Sequence, residues 1–173
     1  MEQLAMRRPN LDGLPELPPM PPGYLLRPGC AVDAESLAAL LAIAFATSAW
    51  TPEKALSELL ANPDVKQTYL ITCEGRVVAT ASALLLPETY PGTGIVHYVA
   101  ADPEHKGRRL GYLVSLAVLH EFARLGCKDA LLRTDDPRLP AIKTYLDLGF
   151  EPVFIDETHV ARWQKVTAAL AAR

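Results

Sequence analysis

The stretch GIVHYVAADPEHKGRRLGYLVSLAVLHEFARL, residues 94–125, decides the fold prediction, because it joins a strand to a helix through a short loop. Its first part is rich in β-forming residues and predicts a strand over 94–102. Its last part predicts a helix over 112–125, with polar residues gathered on one side and Gly126 at its end. The unit is therefore strand, loop and helix.

The loop of this unit, HKGRRLG, has the properties of an anion site. The N–H groups of a first helical turn are free, and the helix dipole adds partial positive charge there. Gly107 and Gly111 lack a β-carbon, so a phosphate can approach the backbone closely. We expect a phosphate or pyrophosphate here; a surface turn with incidental charges is the alternative. The nearby cations are Lys106, Arg108 and Arg109.

Strands and helices alternate irregularly along the rest of the chain, and no internal repeat is visible. Runs of β-forming residues between turn residues predict strands, and apolar runs with capping residues predict helices. We expect strands at 24–27, 129–134 and 150–155, a hairpin over 68–86, and helices at 34–46, 51–62, 139–149 and from Thr158 to 172.

The N-terminal residues 1–23 form a separate region of the sequence, rich in proline. Proline removes a backbone donor and disfavours helix, so we expect an extended arm followed by one domain over 24–173. A disordered tail is the alternative. Four leucines are available to pin the arm to the body: Leu4, Leu11, Leu14 and Leu17.

Composition limits the possible functions. The 173 residues carry a formal charge of −3, whereas proteins that bind nucleic acid through phosphates usually have a basic excess. We expect no nucleic-acid partner. The longest apolar run, residues 37–46, is too short to cross a bilayer, so no membrane association is expected. Three distant cysteines without a C-x-x-C pattern argue against a disulfide framework or zinc site and favour the cytoplasm.

Two motifs together resemble the GNAT superfamily of N-acetyltransferases. ADPEHKGRRLG, residues 101–111, stands where the family has V-x-P-E and then [RQ]-x-x-G-x-[GA]. RLPAIKTYLDLGF, residues 138–150, resembles the later N-x-x-A-x-x-x-Y-x-x-x-G-F signature. The resemblance implies an α+β fold with a mixed sheet. That sheet would be splayed and mostly antiparallel, with about six to seven strands flanked by helices.

The chain departs from the family pattern at several positions. Lys106 stands where arginine or glutamine is usual, and Arg109 replaces the middle glycine. Arg138 replaces an asparagine that commonly supports cofactor binding. The family usually has one more strand after the stretch at 150–155, where this chain predicts a helix. We therefore expect the splayed end of the sheet to be completed in another way.

The resemblance implies acetyl-CoA as co-substrate and no metal. Its pyrophosphate would lie on the amides of the glycine loop, and its pantetheine arm would pair with the backbone of the preceding strand. The loop from Glu88 to Thr93 would help to wall the acceptor pocket, and Trp50 is a further candidate for that wall. The expected cofactor-binding residues are Val99, Ala100, Ala101, Lys106, Gly107, Arg108, Arg109, Leu110, Gly111 and Arg138.

The implied chemistry is direct attack of an amine on the thioester. Tyr145 holds the position of the family's acid tyrosine, which protonates the leaving thiolate. His97 is the candidate base, since the period of two places it on one strand face with Val99 and Ala101, where many relatives carry a glutamate. A structural core histidine is the alternative.

Asp135 and Asp136 are alternatives for the base, because they could attract a cationic amine or relay its proton through water. They are also explained as acids that stabilise a helix N-terminus.

Two functions are consistent with these motifs. The first is an N-acetyltransferase acting on a primary amine, and the second is a non-catalytic acyl-CoA-binding sensor or scaffold. The acceptor is either a small molecule or a peptide amine. A homodimer is possible.

Overall fold

One mixed sheet organises the structure, a computed structural model that describes residues 2–172. Within that range seven strands run in the order β2-β3-β4-β5-β6-β1-β7. The α+β fold with six to seven strands is therefore confirmed. The strands are β1 Leu4–Arg8, β2 Tyr24–Pro28, β3 Val65–Cys73, β4 Arg76–Leu85, β5 Thr93–Ala101, β6 Asp129–Thr134 and β7 Glu151–Val153.

Five helices in the described residues flank this sheet. They lie close to the positions that the sequence predicts, and the chain continues after β7 as a helix, as expected. The helices are α1 Ala34–Ala44, α2 Pro52–Ala55 with a π-helical turn Leu56–Leu60, α3 Leu110–Arg124, α4 Leu139–Asp147 and α5 Glu157–Ala171.

The two faces of the sheet carry different packing. α3 covers one face, where the short side chains of Ala79, Ala81 and Ala83 on β4 leave room for it. Gly94 is needed on β5, because a β-carbon there would lie 2.4 Å from the ring of Phe122 on α3. A second core beneath α1 and α2 includes Leu37, Leu41, Trp50, Leu59, Leu70 and Ala100.

The sheet splays between β5 and β6, which are neighbours near its middle. β5 and β6 run parallel, unlike the other pairs, and they pair only over Thr93–Ile95 and Asp129–Leu131. Beyond Ile95 the strands separate, so the edge of β5 that faces β6 is left without a strand partner. That opening lies at the carboxyl end of β5, directly before the glycine loop.

A β-bulge bends β5 at this opening. Its register with β4 changes, so that Ser82 lies opposite His97 while Thr80 lies opposite Ala100. Tyr98 has a φ of +46°, a left-handed conformation that is uncommon for a large side chain. A bulge inserts an extra residue, bends the strand and increases its twist.

The bulge changes which face the end of β5 presents. His97 and Ala100 lie opposite two β4 residues that share a face, whereas Ala101 lies opposite Ala79 on the other face. The prediction that His97 and Ala101 share a face with Val99 is therefore wrong. A count by twos along the sequence cannot detect the residue that the bulge inserts.

The strand β1 comes from the segment that the sequence assigned to an extended arm. It lies antiparallel between β6 and β7, with Leu4 opposite Thr134 and Ala5 opposite Val153. Leu4 and Met6 are fully buried. β1 thus occupies the splayed half of the sheet, which we expected to be completed in another way.

The rest of the N-terminal segment, residues 9–23, contains no helix or strand. Leu11 and Leu14 pack against the main core, whereas Leu17 is exposed. The carbonyl oxygen of Pro15 lies 2.9 Å from Nε2 of His120 on α3. The segment therefore lies against the body of the protein along part of its length.

We predict that Met6→Ala destabilises the protein by about 2 to 5 kcal/mol, because it leaves a cavity inside an interior strand. Met20→Ala is the matched control, since Met20 is only partly buried in the proline-rich segment. The measurement is the free energy of unfolding from denaturant titration. Equal unfolding midpoints for the Met6 variant and wild type would contradict a structural role for β1.

Candidate active site

Two clefts meet at the splayed end of the sheet. The larger has a volume of about 590 Å³ and lies between the end of β5, the glycine loop and the start of α4. The smaller has a volume of about 420 Å³ and lies between β5 and the end of β6. Val99, Arg138 and Tyr145 line both clefts. These three residues mark the junction at which bound groups from the two sides would meet.

The glycine loop forms the outer wall of the larger cleft. A short 3-10 turn, Pro103–His105, begins it, and the Asp102 side chain accepts a hydrogen bond of 2.9 Å from the Glu104 amide. Gly107 has a φ of +86°, which favours glycine. A β-carbon at Gly107 or Gly111 would meet no protein heavy atom within 4 Å. The loop therefore has open space where a ligand could approach its backbone.

Arg109 occupies a strained position at the start of α3. It is the residue before the first helical turn, and its φ is +55°. A left-handed conformation costs a non-glycine residue roughly 1 kcal/mol or more. Its guanidinium lies 4.1 Å from the ring centre of Tyr112, which holds the side chain along the helix. The backbone thus keeps a glycine-like shape although the side chain has changed.

Most of the predicted cofactor-binding residues line the larger cleft. The exception is Arg108, whose guanidinium lies 5.6 Å from the ring centre of Tyr24. The free edge of β5 supplies backbone groups to the same cleft. The predicted residues that line it are Val99, Ala100, Ala101, Lys106, Gly107, Arg109, Leu110, Gly111 and Arg138.

Tyr145 lies at the junction, on the buried side of α4. Only 5% of its surface is exposed, and its ring packs edge-to-face on Phe150 at 6.1 Å. Gly149 ends the helical segment with a φ of +81°, and the Phe150 amide then donates to the Tyr145 carbonyl at 2.9 Å. Burial raises the pKa of Tyr145 to about 12, against an opposing effect of the Arg138 charge. Tyr145 therefore keeps its proton at neutral pH.

His97 lines the smaller cleft and is partly buried. Its ring centre lies 4.3 Å from that of Tyr98, its neighbour at the bulge. Burial lowers the pKa of His97 below its ordinary value, because the charged imidazolium is poorly solvated there. The imidazole is consequently neutral at physiological pH and able to accept a proton.

The two aspartates after β6 have different environments. Asp135 lines the smaller cleft, where Gln3 Nε2 donates to it at 3.2 Å and Arg138 Nε lies 3.4 Å away. Asp136 lines neither cleft and instead receives two hydrogen bonds, of 3.0 and 2.5 Å, from Arg162 on α5. Hydrogen bonding from Arg162 lowers the pKa of Asp136. The structure therefore brings Asp135, but not Asp136, to the site.

Several residues of the smaller cleft were missed from the sequence. Gln3 reaches it from the N-terminal end of β1, Phe45 comes from the end of α1, and Arg133 comes from β6. No local pattern marks these residues, because each reaches the cleft through tertiary structure. Tyr90 lies in the loop expected to wall the acceptor pocket. Trp50 is buried beneath the cleft, with its ring centre 4.9 Å from that of Tyr98.

Arg138 links the two clefts electrostatically. It precedes α4, and its guanidinium lies 4.6 Å from the ring centre of Phe45. Its ion pair with Asp135 is long at 3.4 Å, and both side chains are partly exposed. Such a pair contributes little to stability, so a charged ligand could replace either partner.

Within residues 2–172, no group of three or more His, Cys, Asp or Glu side chains is arranged to hold a metal ion. In the same part of the chain, no helix is long and apolar enough to cross a membrane.

Sequence comparisons place this site in a known family. Residues 36–150 match the model described as Acetyltransferase (GNAT) family. A mycothiol acetyltransferase from Nocardia farcinica is 32% identical over 162 residues, covering 85% of this chain and 52% of the relative. Another, from Actinosynnema mirum, is 30% identical over 162 residues, covering 87% of this chain and 52% of the relative. The chain thus spans about half the length of these curated relatives.

Solved structures show the same fold at lower identity. A GCN5-related N-acetyltransferase from Sphaerobacter thermophilus superposes with a TM-score of 0.69 at 20% identity, covering 88% of this chain and 50% of that one. A glucosamine-6-phosphate N-acetyltransferase from Arabidopsis thaliana gives a TM-score of 0.62 at 19% identity, covering 77% and 95%. With the family match over most of its length, the chain belongs to the GNAT family of acetyltransferases.

Proposed function

We propose that the protein is an N-acetyltransferase that moves the acetyl group of acetyl-CoA to the primary amine of a small molecule. The observation that carries this proposal is the meeting of two clefts at Tyr145. One cleft has the glycine loop of an acyl-CoA site, and the other is lined by polar and aromatic side chains. The names of the relatives, mycothiol acetyltransferases among them, support a small-molecule acceptor.

The larger cleft fits acetyl-CoA, which supplies the acetyl group as an activated thioester. The backbone amides from Gly107 to Gly111 are candidates to hold its pyrophosphate, because nothing in the protein fills the space beside these glycines. Lys106 and Arg109 line the cleft and add positive charge. The edge of β5 from Val99 to Ala101 is available for an extended ligand with amide groups, since β6 does not pair there.

The smaller cleft fits the acceptor amine. Asp135 attracts the ammonium form, and its weak pair with Arg138 leaves it accessible. His97 accepts a proton from the amine, directly or through one water, because its lowered pKa keeps it neutral. Asp136 is not needed for this step, since Arg162 already satisfies it. Holding the amine at the junction supplies much of the rate through proximity.

Tyr145 acts on the leaving sulfur. A thiol has an ordinary pKa of about 8.5, so a phenol with a pKa of about 12 does not readily give up its proton to the thiolate. Its main contribution is a hydrogen bond donated to the sulfur as negative charge develops, from a hydroxyl whose position is fixed by the buried ring. Burial therefore fixes Tyr145 as a donor across the neutral range.

The rival function is a non-catalytic acyl-CoA sensor or scaffold. A sensor or scaffold would explain why Arg109 and Arg138 differ from the residues usual in the family. A sensor, however, requires only the larger cleft, whereas this chain also has a second cleft that opens onto Tyr145 and His97. The two functions are separated by measuring CoA release from acetyl-CoA with a panel of small-molecule amines: an acetyltransferase releases CoA with at least one amine, and a sensor releases none.

We predict that Gly107→Glu weakens acetyl-CoA binding by more than about tenfold, because it adds a negative charge beside the pyrophosphate. Gly126→Glu is the matched control. It has a similar φ of +76°, equally open surroundings, and a position at the opposite end of α3. Calorimetric titration with acetyl-CoA measures the effect. Equal weakening in both variants would mean that backbone strain, not the loop, is responsible.

We predict that Tyr145→Phe lowers kcat on the order of a hundredfold, because the leaving sulfur loses its donor. Acetyl-CoA affinity should change little, since the ring remains in place. Steady-state kinetics with an amine from the panel, together with calorimetry, test this. Wild-type turnover by the variant at every pH would remove the assignment.

We predict that His97→Ala removes the acidic limb of the kcat/KM profile. The neutral imidazole is the active form, so activity should fall as pH decreases through the pKa of His97, which lies below 6.5 because of burial. His120→Ala is the control, since His120 lies on α3 outside both clefts. If the limb persists in His97→Ala, the base is another group or water.

A further inference from the structure

Tyr24 contacts the glycine loop on both sides of Gly107. Its hydroxyl lies 2.7 Å from Nδ1 of His105, and the two rings meet edge-to-face at 5.6 Å. The guanidinium of Arg108 lies 5.6 Å from the ring centre of Tyr24. Tyr24 itself is fixed at the start of β2, opposite Cys73 of β3. One side chain of the sheet thus contacts the residues that flank the flexible centre of the loop.

The other contacts of this loop in the described residues hold its two ends. The Asp102 amide donates to the Val78 carbonyl of β4 at 2.9 Å before the loop, and Leu110 is buried in the main core at its end.

Asp102 caps the turn through Glu104, and Arg109 lies on Tyr112, one turn further along the chain. Neither contact connects the centre of the loop to the sheet. Tyr24 therefore connects the stretch around Gly107, between the two anchored ends of the loop, to the sheet.

Gly107 makes such a connection necessary. Glycine has the largest conformational freedom of any residue, and no side chain packs at this position. A loop that is ordered only when ligand binds loses conformational entropy at that moment, which weakens binding. A loop that is already held in its bound shape avoids this loss.

We infer that Tyr24 is a positioning residue for acetyl-CoA, which holds the glycine loop in its binding shape through His105 and Arg108. This inference rests on the proposed function. Tyr24 lines neither cleft, so it acts on cofactor affinity and not on the reacting atoms. The family motifs place no residue in this role, because Tyr24 lies outside both of them.

The test is calorimetric titration of Tyr24→Phe with acetyl-CoA, followed by steady-state kinetics. Losing one hydrogen bond should weaken binding about three- to tenfold. The loss should appear as a less favourable binding entropy and a raised KM for acetyl-CoA, with kcat at saturation within about twofold of wild type.

Tyr69→Phe is the matched control for this variant. Tyr69 packs against the same core as Tyr24, and its hydroxyl also contacts another element, Glu121 of α3, at 3.4 Å. It contacts no residue of the loop and lines neither cleft. Equal weakening by Tyr24→Phe and Tyr69→Phe would show a general structural effect and overturn the inference.

His105 variants test the same contact from the loop. His105→Ala should weaken acetyl-CoA binding as Tyr24→Phe does. The double variant should bind acetyl-CoA no more weakly than the single variant with the lower affinity. His105→Asn should restore part of the affinity that His105→Ala loses. His105 also lines the larger cleft, so the comparison of the double variant with the single variants carries the test and not His105→Ala alone. If Tyr24→Phe does not fold, Tyr24→Leu takes its place in that comparison. Wild-type affinity in Tyr24→Phe overturns the inference alone, whereas no binding by folded wild type overturns the proposed function as well.

Discussion

The short parallel pairing between β5 and β6 is the constraint on which the site depends. Three residues of each strand pair, and the strands then separate. A bulge at Tyr98 bends β5 shortly after this point. Because the strands diverge, β5 keeps free backbone groups, and space opens between the strands for two clefts. A sheet that stayed paired to the end of β6 would have neither the free edge of β5 nor the smaller cleft.

β1 makes this opening stable. β6 is weakly connected to β5, but it pairs along Leu4–Arg8 of β1 on its other edge, over residues more than a hundred positions apart in sequence. β1 also connects β6 to β7, so the splayed half of the sheet is a three-stranded unit. The same strand brings Gln3 to Asp135 in the smaller cleft. The N-terminal segment thus contributes to both the fold and the site.

The sequence predicted what local chemistry determines. The strand, loop and helix around Gly107, and the position of Tyr145 within its motif, depend on neighbouring residues and were readable. The strand β1 could not be predicted from the sequence, because LAMRR has no β-branched residue and its partner strands are distant in sequence. The sheet faces on which His97 and Ala101 lie were not readable either, because they depend on the residue that the bulge inserts into β5. The different environments of Asp135 and Asp136 depended on Arg162, which reaches Asp136 from α5, and on Gln3, which reaches Asp135 from the N-terminal segment.

Burial has opposite effects on the pKa values of the two proposed catalytic groups, His97 in the smaller cleft and Tyr145 at the junction. It lowers the pKa of His97 and raises that of Tyr145, because each group avoids its charged form in surroundings with little water. The histidine is therefore already a base, and the tyrosine still a donor, throughout the neutral range. In the proposed reaction both groups are in their active protonation state near pH 7, so the titration of neither group changes the rate there. The ammonium form that Asp135 attracts passes its proton to the neutral imidazole, so the rate of the proposed reaction falls only as the pH drops through the pKa of His97, which burial holds below its ordinary value.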